Sequence, residues 1–544
     1  MSYSELEGYR RKFGYGGVAS SNCSGLKIKY DSSNTAWVLS WKDPEDTYID
    51  GQLISSWRTT YLVRKVGSYP TSIVDGTIVC TNKTRNKYAT NGYSDDVSSI
   101  SDPATLYYAL IPESDTGAFS INENNQFYYI GHTSEVYEWY KYPSISNPGA
   151  QGRANKGRIV YKGANSGYTP AYMNFSWDEF NYGDWEDAFF IKGCRPCMVK
   201  YDGTVDYYLN PNDYSLKEDG TASDIANTAY AGNAMVEFPK YYYLYEEITD
   251  DDGVACIHKA ISNKKINSSY KPWWCFYDKS GNEVDYHYMS IYMGTIISNV
   301  MRSISGQTGY NNSTFADELT YANANNTAGG ITNQWFGTTA AGWLMICDLL
   351  ELIGCTTATQ ETFGYGNYSG NSYTTVMGTL NAKGLFYGSS SASTSASVKV
   401  FGMEDFWGKR WNRIVGLING SGTEKIKLTI GTQDGSTTTG FNATGSGYIS
   451  LSSSFKPTGT SGGYISATAV NTSLGVELPA TASGTSSTYE CDGLWFNNSQ
   501  TNVARVGGAA SNGLLCGARA LDVSYTASLA AAASGAALSF TPNA

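Results

Sequence analysis

The chain has 544 residues, too many for one hydrophobic core, so two to four domains are expected. Its 38 basic and 49 acidic side chains give a formal net charge of −11, which argues against a nucleic-acid partner because phosphate binding needs clustered Lys and Arg. No apolar run reaches the length of a membrane span, so no membrane insertion is expected, and residues 1–5 lack the basic-then-apolar opening of a secretory signal.

After a short N-terminal stretch, residues 1–21, the pattern over 22–120 is one of strands and turns. Residues 35–41 alternate apolar and polar and break at Asp43-Pro44; residues 57–65 form a second strand, closed by Gly67-Ser68-Tyr69-Pro70. Asp75-Gly76 is a tight-turn dipeptide before a strand at 77–80, and 106–112 is the next. With Trp41 and Tyr108 as anchors, the spacing predicts an antiparallel sandwich. Residues 121–190 carry Tyr137, Trp139, Tyr140 and Tyr142 without a clear period and read as a connector.

From 191 onward a further domain is expected, with strand-like runs at 196–201, 205–209, 234–243 and 291–295. Between Gly342 and Gly354, Trp343, Ile346, Leu349, Leu350 and Ile353 recur at three- and four-residue intervals, which predicts an amphipathic helix. A Ser-, Thr- and Gly-rich insertion covers 421–490. Residues 494–540 then read as short strands broken by glycines, with small side chains where bulk is usual. The run Ala530-Ala531-Ala532-Ala533 has high helix propensity, but it sits between Gly517 and Gly535 among Ser, Thr and Val. The run 538–540 is expected to tie the terminus into a sheet. The fold class expected is therefore mainly β, with an α+β C-terminal part.

Little in the sequence carries catalytic chemistry. Of ten cysteines only Cys194-Arg195-Pro196-Cys197 has a suggestive spacing, yet residues 198–203 look like a strand running into a turn and not the helix of a redox pair, and a zinc site would need a second pair. Buried thiols in a reducing cytosol are the reading preferred. His132, His258 and His287 show no metal-ligand spacing, and no nucleophile elbow, phosphate loop or dinucleotide fingerprint stands in a convincing context. Carboxylate runs such as Glu246-Glu247 and Asp250-Asp251-Asp252 read as solvated. No catalytic residue, metal or cofactor is expected.

Two resemblances add to this reading. SWKDP at 40–44, LVRKVGSYPTSIVDGTIV at 62–79 and YYALIP at 107–112 resemble a fibronectin type III module of the kind found in phage tail fibres. GMEDFWGKRWNRIVGLING at 402–420, VARVGGAASNGLLCGARALDV at 503–523 and SGAALSF at 534–540 resemble the C-type-lectin fold, in the branch shared by formylglycine-generating-enzyme-like domains and retroelement-diversified phage tropism determinants. That resemblance covers 191–544 and implies that Trp407 and Trp411 sit in the core beside Gly507 and Gly508. It further implies a framework including Gly513, Leu521, Gly535 and Leu538, and variable receptor-binding positions at Ala509, Ala510, Asn512, Arg519, Asp522, Ser524, Tyr525, Leu529, Ala531 and Ala533. Arg519 and Tyr525 are the best single contacts among these, since hot spots are usually Trp, Tyr or Arg. Mutagenesis at adenines of AAC-type codons cannot yield Lys, Glu, Gln, Met or Trp, and residues 503–544 contain none of them. Cys516 has no second cysteine after it, so the oxidising activity of enzymes on this fold does not carry over, and the calcium-binding lectin triplets are absent.

The function implied is that of a receptor-binding protein at the distal tail fibre of a phage or prophage virion, made in the host cytoplasm. Residues 1–21 would attach it to other tail or baseplate proteins, and the lectin-like face would adhere to a bacterial surface receptor, protein or glycan. A homotrimeric fibre would add avidity. The alternative is a carbohydrate-active or formylglycine-generating-enzyme-like bacterial enzyme on the same scaffold.

Overall fold

The computed structural model describes residues 19–31, 35–49, 51–100, 103–127, 135–142, 159–366, 373, 376–391, 393, 396–432, 435, 438–486 and 490–544. The expected attachment segment, 1–21, lies almost wholly outside these. Strand outweighs helix, 41% to 12%, so the mainly-β class expected from the sequence is the class observed. The chain divides into two compact units, Met1–Ser134 and Glu135–Ala544.

The first unit holds two three-stranded antiparallel sheets. Ala36–Lys42 lies between Ser24–Asp31 and Tyr93–Asp96, and Trp57–Val66 lies between Thr77–Asn82 and Leu106–Ser114. Period-two alternation turns Trp37, Leu39 and Trp41 of one sheet toward Leu62, Tyr108 and Leu110 of the other, in one shared core. Both expected anchors are there, Trp41 at 1% and Tyr108 at 0% exposure. Asp43 explains the polar break after Trp41. Its carboxylate accepts from Trp41 Nε1 (2.9 Å), Thr60 Oγ1 (2.6 Å), Asn82 Nδ2 (2.8 Å) and the Asn86 amide (2.7 Å), so one buried acid satisfies four donors across both sheets.

The second unit begins where a connector was expected. Val136–Lys141 pairs with both Ile159–Lys162 and Ala255–Ser262 in a five-stranded sheet, and Ala171 N–H donates to Ile353 O at 2.7 Å. Residues 135–142 and 159–190 are therefore part of this unit, and the boundary falls near 134 instead of 190. Their period was hidden because aromatics occupy both faces of the strand: Tyr137 and Trp139 point inward, while Tyr140 is half-buried on the other side.

A seven-stranded sheet comes next, in which Leu538–Phe540 lies between Tyr286–Ser290 and Trp335–Gly337, as expected of the last strand. A third sheet, of ten strands, is centred on Trp411–Gly420, Thr501–Val506, Leu521–Val523 and Gly493–Phe496. The 421–490 insertion supplies the strands at both of its edges, including the long hairpin Gly463–Asn471 with Val476–Gly484. Helix Ala340–Gly354 starts at its N-cap Thr339 and is buried along all fifteen residues, Asp348 and Glu351 included. It is thus not amphipathic toward solvent; its polar stripe faces buried cations.

Candidate functional site

The C-terminal segment is built on two glycines and four arginines. Strand Thr501–Val506 runs into Gly507 and Gly508, both with positive φ (87° and 82°). A Cβ at Gly507 would lie 2.6 Å from Phe406 O, and one at Gly508 would lie 2.6 Å from Cys516 Sγ, so only glycine lets the chain pass here. Trp407 and Trp411 are buried next to this crossing, as the resemblance implied. The chain then turns through Gly513–Leu515 and re-enters the sheet at Leu521–Val523. It crosses the surface over residues 524–533 and returns as Ser534–Ala536 and Leu538–Phe540.

Four of the ten expected contact residues are corrected by this path. Ala509, Ala510, Arg519 and Asp522 are at most 2% exposed, so none of them lies on the surface. Arg519 faces helix Ala340–Gly354: its Nε donates to Glu351 Oε1 (2.6 Å), its Nη2 to Asp348 Oδ1 (2.8 Å), and its backbone N–H to Asp492 Oδ2 (2.8 Å). Lys141 reaches Glu351, Glu477 (2.8 Å) and Glu490 (2.7 Å), and Lys259 reaches Asp348 (2.9 Å), Glu351 (3.2 Å) and Glu477 (2.5 Å). Three cations thus meet five acids with no access to water. Burial works against ionising Glu351 and Glu477, but Arg519, Lys141 and Lys259 outweigh it and hold both below the usual carboxylate range. Glu490 and Asp492 are pushed up by burial, Asp492 also by Glu490. Carboxylate oxygens of Asp348, Glu351 and Glu477 lie within 4.8 Å of one another, a spacing that would suit a metal ion. The Lys259 ammonium stands there and supplies the positive charge.

The remaining six positions are reachable. Asn512, Ser524, Leu529, Ala531 and Ala533 are partly buried, and Tyr525 is 47% exposed. Two of them are tied down: Asn512 Oδ1 caps the Ala509 amide at 2.8 Å, and Ser524 Oγ donates to Asp522 Oδ1 at 2.6 Å. The carbonyls of the surface segment are clamped from beneath, Leu529 O by Arg413 Nη2 (2.9 Å) and Ala532 O by Arg410. Arg413 is itself paired with buried Glu318 at 2.7 Å. The GKRWNR stretch is therefore a cradle for the terminal loop.

Arg505 was missed from the sequence. It pairs with Asp522, its cross-strand neighbour, and donates to Ser534 Oγ; its guanidinium lies 4.6 Å from the Tyr525 ring centroid. An arginine alternating with apolar residues in Val503-Ala504-Arg505-Val506 was the available signal, since a charge inside such a strand requires a partner. Tyr525 is thus a large aromatic held at the surface by a locked cation.

The residues weighed for catalysis are placed differently. His287 is buried, its Nδ1 lies 2.9 Å from Thr541 Oγ1, and burial lowers its pKa to about 3, so it is neutral at physiological pH. His258 stands beside Glu138 and Glu246 (3.8 and 3.5 Å), and His132 lies outside the described residues. Cys194 and Cys197 are buried free thiols that burial pushes well above the ordinary thiol range, the reverse of what a reactive pair needs. No family model and no curated protein matches the chain.

Proposed function

We propose that the protein is an adhesin, the receptor-binding protein of a phage or prophage tail fibre, whose contact face is the terminal loop 524–533 with the neighbouring turn at 511–514. The observation that carries this reading is Tyr525, braced by Arg505, on a loop clamped by Arg410 and Arg413. A rigid aromatic at the surface loses little side-chain entropy on binding, which is why such residues dominate interfaces. The glycine-framed strands of the segment lie inside, while Tyr525, Leu529, Ala531 and Ala533 are reachable from outside. The first unit, with strand order consistent with a fibronectin type III module, would serve as spacer, and a homotrimer would multiply a weak single contact.

Truncation before residue 494 would remove central strands of the ten-stranded sheet, so substitutions make the cleaner test. Tyr525→Ala combined with Leu529→Ala is expected to reduce retention on host cells at least about tenfold with an unchanged melting temperature. Undiminished retention would remove the face from the account. A reverse-transcriptase gene beside a near-copy of the coding sequence's 3′ end would support a diversified adhesin from the DNA side.

A further inference from the structure

An open groove of about 380 Å³ adjoins the terminal loop. Phe315 and Leu319 of helix Phe315–Gly329 form its floor, Ala316 and Ala443 its sides, and Ala527 closes it from the loop. Its volume falls in the range of small-ligand clefts. Ala443 belongs to the 421–490 insertion, which therefore contributes part of the wall of the groove.

Among the described residues, the polar side chains bordering the groove are already engaged. Thr314 Oγ1 donates to Asp317 Oδ2 at 2.7 Å and accepts from the Asp317 amide. Asn442 donates to Gly440 O and Ser446 O, and its own oxygen accepts from Thr444 at 2.9 Å. Ser528 Oγ shares a 2.9 Å bond with Thr526 Oγ1, and Ala527 O accepts the Phe315 amide. A sugar placed here would bury hydroxyls with few free partners, and an unpaired buried hydroxyl disfavours binding. An anion fares no better. Glu318 is consumed by Arg413 and Ser313, and exposed Asp317 in the first helical turn repels anions.

We propose that this groove is the specificity pocket of the adhesive face and takes one uncharged aromatic or aliphatic side chain from a protein receptor, in preference to a glycan. This rests on the adhesive reading for its biological partner, but the pocket can be tested without cells. Titration of the full chain with N-acetyl-L-tryptophanamide, followed by NMR, is expected to show saturable millimolar binding, with methyl α-D-glucopyranoside giving none. Ala443→Trp, which fills the groove, is expected to weaken amide binding at least tenfold at unchanged melting temperature. Ala316→Trp, on the exposed first turn of the helix, fills the groove from the opposite side should the first variant fail to fold. Equal amide affinity in a folded filled variant, or glucoside binding as tight as the amide, overturns the proposal. A change in sedimentation on filling the groove also overturns it, in favour of a second copy of this chain. Amide binding without any retention on host cells would leave the pocket standing and remove the adhesive reading instead.

Discussion

Arg519 and Tyr525 looked alike in the sequence as polar or aromatic residues on a small-residue strand, and they have opposite fates. What separates them is the identity of the facing surface, which no local pattern encodes. Arg519 meets two acids of a helix about 170 positions upstream, whereas Tyr525 meets solvent on one side and Arg505 on the other. Arg519→Met is therefore expected to lower unfolding free energy by about 3–5 kcal/mol, because it removes one of three cations that compensate buried carboxylates; denaturant titration measures it. A second residue-scale prediction concerns Lys399 and Glu404. Lys399 Nζ donates to Leu380 O at 2.8 Å, and Glu404 accepts from the Gly378 amide at 2.9 Å, both beneath the same loop. Burial, with Asp405 adding to it, raises Glu404 to about 7, and burial lowers Lys399 to about 7 despite the Glu404 charge. A raised acid favours the fold below its unfolded value near 4.5, and that contribution is lost as pH rises to 7. A lowered base favours the fold above its unfolded value near 10.5, and that contribution is lost as pH falls to 7. The pair thus contributes a stability minimum near neutrality. Glu404→Gln is expected to flatten the acid limb of a stability-pH profile and Lys399→Met the alkaline limb; parallel profiles in wild type and both variants would contradict this.

At the scale of elements, legibility followed the strength of the local signal. The sandwich strands alternate and end in turn residues, so their positions were readable to within a few residues. Helix Ala340–Gly354 announces itself through apolar spacing, but the partners that Asp348 and Glu351 need come from elsewhere in the chain and leave no local sign. Helix Phe315–Gly329 went unread: its Asn- and Ala-rich faces differ little in polarity. The signal it did carry was at the ends, a capping box formed by Thr314 and Asp317 and a left-handed Gly330. The paired glycines were legible, since adjacent glycines before a small-residue run have few other uses. Gly507→Ala combines φ 87° with a contact to Phe406 O at 2.6 Å. It is expected to cost at least about 1–3 kcal/mol, read as a lowered melting temperature of the second unit.

For the whole molecule, the class was readable and the partition was not. Counting turn signals gave a sandwich, a connector and a terminal domain; the pairing of Val136–Lys141 with Ala255–Ser262 instead draws the second unit back to residue 135. Sheet partners more than a hundred positions apart leave no trace in composition. The buried ion cluster has a practical corollary for anyone dissecting this chain. A fragment begun at 191 would forfeit Lys141, one of the three cations that face the buried acids, and would strip two strands from a five-stranded sheet. Such a piece is expected to emerge as aggregate or protease-sensitive material, whereas one begun at 135 should yield a single sharp melt.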